Sequence, residues 1–225
     1  MLMEKLPIYI SIVFVLTTFL AVGLFYNATN KSKTTVGFLA VWIILQAIVA
    51  LSGFYTKTDT VPPRFALLVL PPLICIVLLF IMPNGRIYID RFDISKLTIL
   101  HIVRIPIELV LLWLCMNKAV PQLMTFEGRN FDVFSGLTAP FIYYFGFIRK
   151  KLNRNVLLIW SFACILLLLN IVINAILSAP FPFQKFAFDQ PNIAILYFPF
   201  VWLPCCIVPL VLFSHLATIR KLVRS

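Results

Sequence analysis

The chain predicts an all-α, polytopic membrane protein of seven transmembrane helices, and three observations carry that reading. Of its 225 residues, 62% are hydrophobic and 12% charged, where soluble domains hold about 45–50% apolar and about 25% charged residues. Seven apolar runs each approach the roughly 20 helical residues needed to cross a hydrocarbon core about 30 Å thick. The basic residues gather mainly in alternate gaps between those runs.

In chain order the predicted helices cover about 7–26, 35–55, 65–82, 97–117, 131–148, 156–178 and 193–216, within one transmembrane domain, 1–225. The third and fifth are the shortest. In the first, Ala21-Val22-Gly23 loosely imitates a signal-peptide cleavage site. Its apolar stretch is longer than the about 7–15 residues of a signal h-region, however, and Lys5 stands beside Glu4, so it reads as a retained helix. The third run carries Pro71-Pro72 and the seventh Pro199, Pro204 and Pro209. Between the third and fourth runs, Pro83-Asn84-Gly85 signals a turn, and Arg86–Lys96 mixes charged and apolar residues as an interfacial segment does. Ahead of the fifth, Asn130 or Asp132 would cap the helix, with Asp132 favoured at its positive end. The connection 179–192 carries four phenylalanines and three prolines. It either lies in the headgroup layer as belt-type aromatics or folds back over the bundle as a lid.

The charge pattern sets an orientation. Lys5, Lys57, Arg64, Lys118, Arg129 and Lys185 fall on one side, six in all. Twelve fall on the other: Lys31 and Lys33; Arg86, Arg91 and Lys96; Arg149, Lys150, Lys151 and Arg154; Arg220, Lys221 and Arg224. Arg104 lies inside a span. The positive-inside rule then predicts the N-terminus outside and the C-terminus in the cytoplasm. The net charge of +11 is spread through short loops instead of clustering on one soluble face, which excludes a nucleic-acid partner. The expected partners are the lipid bilayer, with anionic headgroups at the cytoplasmic loops and at 149–154 above all, together with a small-molecule solute, a membrane protein partner or a second copy of the chain. Asn27-Ala28-Thr29 and Asn30-Lys31-Ser32 fit the glycosylation pattern in a gap assigned to the cytoplasm. They carry no meaning in a bacterial inner (plasma) membrane, the expected location. Cys75, Cys115, Cys164, Cys205 and Cys206 all sit in apolar runs without ligand or disulfide spacing, as buried small hydrophobes do.

Short loops make consecutive helices antiparallel neighbours, and helices one to three repeat in sense as five to seven around helix four. This three-plus-one-plus-three plan resembles the sugar and vitamin permeases built from two three-helix bundles, and more distantly the opsins. The likeness is one of topology. The chain's Pro121-Gln122 lies in an outer loop and not inside a repeat helix, and helix seven has no lysine, so neither family's site is carried over.

Ionisable residues inside a span cost about 2.5–3.5 kcal/mol each on insertion scales and face the bundle interior or a wet cavity. Helix four carries His101, Arg104 and Glu108, which at about 100° per residue share one face. Counted by depth, Gln46, Tyr143, Tyr144 and Trp202 come near the level of Glu108, with Asn170 and Asn174 nearer the outside. Two readings stand: a small-solute site walled by these residues, with Arg129 and Asp132 as an outer gate, or structural glue in which Arg104 pairs with Glu108 one turn away. A non-transporting sensor or accessory subunit is the corresponding alternative function. The sequence points away from an enzyme. Ser135, before Gly136, has no histidine at its end of the bundle, and His101 with His215, at matching depth, makes too small a set for a metal or haem. No cofactor is expected.

Overall fold

The computed structural model describes residues 6–224, so Lys5, counted above, lies outside the described residues. Among those residues the chain is all helical, with nine α-helices and no strand: α1 Ile8–Ala28, α2 Lys33–Leu51, α3 Ala66–Ile81, α4 Pro83–Asp90, α5 Ile94–Leu100, α6 Arg104–Met116, α7 Val133–Ile142, α8 Arg154–Leu177 and α9 Val208–Arg224. Side chains supplied by the sequence fix several starts. Ser32 accepts from the Thr35 amide at the head of α2, Asp93 from Ser95 and Lys96 at α5, and Asn153 from Val156 at α8.

Prolines decide where the helices depart from regularity. A 3₁₀ turn, His101–Val103, joins α5 to α6 just ahead of Pro106, which cannot donate to the Ile102 carbonyl. The three pieces form one apolar rod, Ile94–Met116. Pro83 opens α4 after a bend of 92° from α3. A side chain on Gly85 would come within 2.4 Å of the Leu79 carbonyl oxygen, so only glycine permits that close turn. The α7 helix passes Pro140 into a π-helical segment, Tyr143–Ile148, and a second π segment, Leu203–Ile207, leads into α9. Pro209 has no amide for the Cys205 carbonyl. The Trp42 indole of α2 takes that carbonyl at 2.9 Å, and Trp202 returns the tie by donating to Ile43 O at 2.9 Å.

Among the described residues five helices are long and apolar enough to cross a membrane: α1, α2, the α5–α6 rod, α8 and Leu203–Arg224. A sixth is reached if α3 and α4 are taken as one bent span, while Val133–Ile148 is shorter. The predicted seventh helix shifts most. Residues 193–202 are irregular but buried at Ile195, Leu196, Phe200 and Val201. Pro199 interrupts this stretch, Pro204 falls in the first turn of the π segment, and helical structure then runs on to Arg224.

The rod packs between α1, α7 and α9, and α8 lies along α9. About half of the rod is buried and more than half of Leu203–Arg224, whereas α2 buries only Ile43, Gln46 and Ala50, which makes it peripheral. Alternate connections meet each other. At one end Asn30 donates to Arg91 O, Arg154 to Val223 O and Lys221 to Phe92 O. At the other, residues 179–192 fold back over the bundle: Gln190 donates to Cys115 O and Val120 O, and Phe65 packs on Phe181.

Candidate functional site

The polar face predicted on helix four is buried as one cluster. His101, Arg104 and Glu108 are 1%, 3% and 3% exposed, as a charge in an apolar surround requires when protein and not lipid must solvate it. What they meet differs from the pairing expected between Arg104 and Glu108. Arg104 Nη1 donates to Asp132 Oδ1 in a salt bridge whose side chains are 4% and 8% exposed. Its Nη2 lies 3.2 Å from His215 Nε2. Guanidinium has no acceptor, so that ring nitrogen accepts and the His215 proton sits on Nδ1. His101 stacks on His215 with centroids 3.8 Å apart and planes 11° from parallel, and both rings meet Trp160 edge-on at 5.6 and 5.4 Å. Asp132 is anchored further by Ser135, whose hydroxyl donates at 3.4 Å.

Glu108 belongs to the same face and lives differently. Asn130 Nδ2 donates to its Oε1 and, at 3.0 Å, to the Met124 carbonyl. Glu108 Oε2 is buried with no hydrogen-bond partner among the described residues, as are Arg104 Nε and both histidine Nδ1 atoms. A cavity of about 90 Å³ opens beside it, and Arg104, Glu108 and Asp132 are its only charged walls. The remaining walls are apolar side chains such as Val69, Leu111, Leu168, Ile171, Ile207 and Val211.

A loop that leaves the surface makes this possible. Residues 118–132 turn inward after the rod, so that Asn130 is 0% and Asp132 6% exposed. Asp132 caps no amide of α7; its carboxylate is committed to Arg104. Asp132, expected at an outer gate, is thus placed inside the cluster and paired with Arg104. Arg129 stays exposed, with its guanidinium 5.9 Å from the Phe186 ring. Gly136 lets α7 close on the rod, since a side chain there would come within 3.2 Å of Arg104 Cβ.

The expected pocket wall is not assembled. Gln46 accepts from the buried Tyr55 hydroxyl at 2.5 Å, and Trp202 lies against Phe19 and Phe198. Tyr144 receives Arg149 Nε at 2.8 Å on an exposed surface. Neither these residues nor Tyr143 line the cavity. Asn170 and Asn174 stand off it as well. Asn170 donates to Arg129 O at 2.7 Å and Asn174 to Asn170 O at 2.9 Å, which pins the inward loop to α8.

His215, Asn130 and Trp160 complete the cluster beyond the residues first proposed for it. Among the described residues no group of three His, Cys, Asp or Glu side chains is placed to hold a metal. No curated protein and no solved structure shows a significant match to the chain. A family described as a domain of unknown function, DUF8737, matches residues 62–223, a stretch that contains every member of the buried cluster. With more than half of its length matched, the chain belongs to that family.

Proposed function

We propose that this protein binds or moves a small solute through its helix bundle at the Glu108 cavity. The observation that carries the reading is Glu108 Oε2, buried in a cavity and lacking a hydrogen-bond partner. An unmet buried polar atom costs about 1–3 kcal/mol, more when charged. A solute that donates to it recovers that cost on binding. At about 90 Å³ the space takes a few waters or a solute of a few heavy atoms. Asn130 would hold Oε1 in place while the Arg104–Asp132 pair forms the opposite wall, and the prolines of α3 and Leu203–Ile207 would serve as hinges. The same reading has seven crossing segments, with the short Val133–Ile148 starting inside the bilayer, in a three-plus-one-plus-three plan. Its N-terminus is outside and its C-terminus cytoplasmic, in a bacterial inner (plasma) membrane. The meeting of alternate connections at opposite ends supports this plan, and the Asn30 side chain, engaged with Arg91 O, is not presented for glycosylation.

The test compares Glu108→Gln with wild type in detergent and in liposomes. The expected variant keeps its melting temperature and loses binding or uptake across a panel of small amines, amides and carboxylates. A variant as unstable as one lacking the Asp132 charge would make Glu108 glue and end the transport reading. A second reading, an accessory subunit, draws on the exposed α2 stripe of Phe38, Val41, Leu45 and Ile48, which at helical spacing offers a face for a partner helix.

A further inference from the structure

A second and larger recess, sharing no lining residue with the first, lies between α2, α3 and α9. It is about 420 Å³, inside the range of about 300–1,000 Å³ usual for small-molecule sites. Phe38 and Trp42 of α2, Pro72, Cys75 and Leu79 of α3, and Phe213 of α9 wall it with apolar surface. Four hydroxyl residues, Ser32, Thr34, Thr35 and Tyr88, stand at one end. The groove exists because α2 is held to the bundle at its middle, through the Trp42 and Trp202 indoles, and does not close on α3.

Its dimensions and its charge name an occupant. From Ser32 to Trp42 is roughly 15 Å along α2, and from Pro71 to Leu79 roughly 12 Å along α3, at about 1.5 Å per residue. Each is close to half of a hydrocarbon core about 30 Å thick, the depth of one leaflet. The polar end joins two elements: Thr35 and Tyr88 share a hydrogen bond across it, and Ser32 Oγ receives Thr35 Oγ1 at 2.9 Å. Around that end Lys31, Lys33, Arg86 and Arg91 are exposed, and no ion pair takes them among the described residues. The nearby acids are committed elsewhere, Asp90 to Arg220 and Arg224, and Asp93 to its helix cap and Lys96. An apolar slot one leaflet deep, with hydroxyls at its mouth and cations that no acid among the described residues neutralises, matches an acyl chain under an anionic headgroup.

We infer that the groove between α2, α3 and α9 holds an acyl chain of an anionic phospholipid from the leaflet on the Lys33 and Arg86 side. The headgroup phosphate sits among the mouth hydroxyls and cations, and the chain runs down toward Trp42 and Pro72. The site is separate from the Glu108 cavity and does not depend on a solute there.

The purified full chain, labelled with phosphatidylglycerol that carries a photoreactive diazirine on one acyl chain, tests this. Adducts mapped by mass spectrometry are expected to concentrate within 34–42 and 71–79. Unlabelled phosphatidylglycerol should displace them about tenfold better than phosphatidylcholine of the same chains. The triple variant Lys33→Gln, Arg86→Gln, Arg91→Gln changes only exposed side chains. It should keep its melting temperature and lose most of that advantage, since even one surface cation is worth about fivefold toward an anionic membrane. Cys75→Phe fills the slot and should remove the groove adducts while leaving those on other lipid-facing surfaces. Adducts spread evenly over the helices, phosphatidylcholine competing equally, or undiminished groove labelling in Cys75→Phe would each overturn the inference. So would a dimer in which the groove goes unlabelled, since a second copy would then cover it.

Discussion

Arg104 and Glu108 lie one turn apart on the same helix face, equally buried, and the protein treats them in opposite ways. Both terminal guanidinium nitrogens of Arg104 are engaged, by Asp132 and by His215. One carboxyl oxygen of Glu108 is held by Asn130 and the other faces a cavity. In hydrocarbon a charge is retained where protein groups replace its hydration. The Arg104 half meets that demand at both terminal nitrogens, with Nε alone left over, and behaves as a joint between the rod, the inward loop and α9. The Glu108 half leaves the demand open. A buried stripe of charge is thus not one feature: Arg104 is tied to a counter-charge and a ring nitrogen from other elements, whereas Glu108 has one neutral amide donor.

Breaking the joint should give the largest effect. Asp132→Asn leaves Arg104 without its counter-charge, and removal of one partner of a buried pair costs about 3–5 kcal/mol. Thermal unfolding in detergent should fall by on the order of 10 °C at the usual few degrees per kcal/mol. The double variant Asp132→Asn with Arg104→Gln should recover much of that loss. If Asp132→Asn unfolds with wild type, the pair is not a joint and the contrast fails. His215→Phe comes next: it keeps an aromatic ring against His101 and Trp160 and deletes the acceptor for Arg104 Nη2. A hydrogen bond to a charged group is worth about 1.5–3 kcal/mol, so its melting point should lie between those of wild type and Asp132→Asn.

Glu108→Gln sharpens the comparison from the other side. Glutamine keeps an acceptor for Asn130 and the shape of the side chain, so the stability change should stay below about 1 kcal/mol, within the range of one neutral hydrogen bond. A measured loss matching Asp132→Asn would erase the difference between the two halves.

The sequence made one side of this contrast visible and hid the other. Charges inside an apolar run betray themselves by composition alone, which is why His101, Arg104 and Glu108 were legible as a buried face. Their partners come from 130–132 and from position 215, and no spacing rule connects them to the rod. A clue was present in the shortness of the fifth run together with an acid at its start: a helix too short to cross begins inside, and its leading acid is then buried. Depth counting failed for Gln46 and Trp202 because depth carries no azimuth. Tyr55 and the Ile43 carbonyl claim these side chains away from the cavity. The seventh helix starts later than expected because its apolar content outweighed Pro199, which removes an amide that a regular helix needs, while Pro204 suits the first turn where helical structure begins.

An exposed twin of the buried joint completes the series with the smallest effect. Asp90, at the end of α4 and outside the crossing segments, receives Arg220 Nε at 3.0 Å, Arg220 Nη2 at 3.1 Å and Arg224 Nη1 at 3.2 Å. The hydrogen bond from Arg220 is the chief reason its carboxyl is held below the ordinary range; burial opposes it, and the positive charges of Arg220, Arg224 and Lys221 add to the lowering. A carboxyl whose folded value is depressed stabilises the fold above its unfolded value, about 3.9. That contribution fades as pH falls below this point and is gone once pH drops through the lower folded value. Because the Asp90 side chain is 38% exposed, water and salt screen the pair, and double-mutant cycles on such pairs give about 0.2–1 kcal/mol. Asp90→Asn should therefore cost that little at pH 6, less in 1 M salt, and nothing at a pH below the folded value. Asp132→Asn should remain costly in high salt, because its pair is shielded from solvent. Equal salt sensitivity of the two variants would mean that burial does not distinguish the joint from its surface twin.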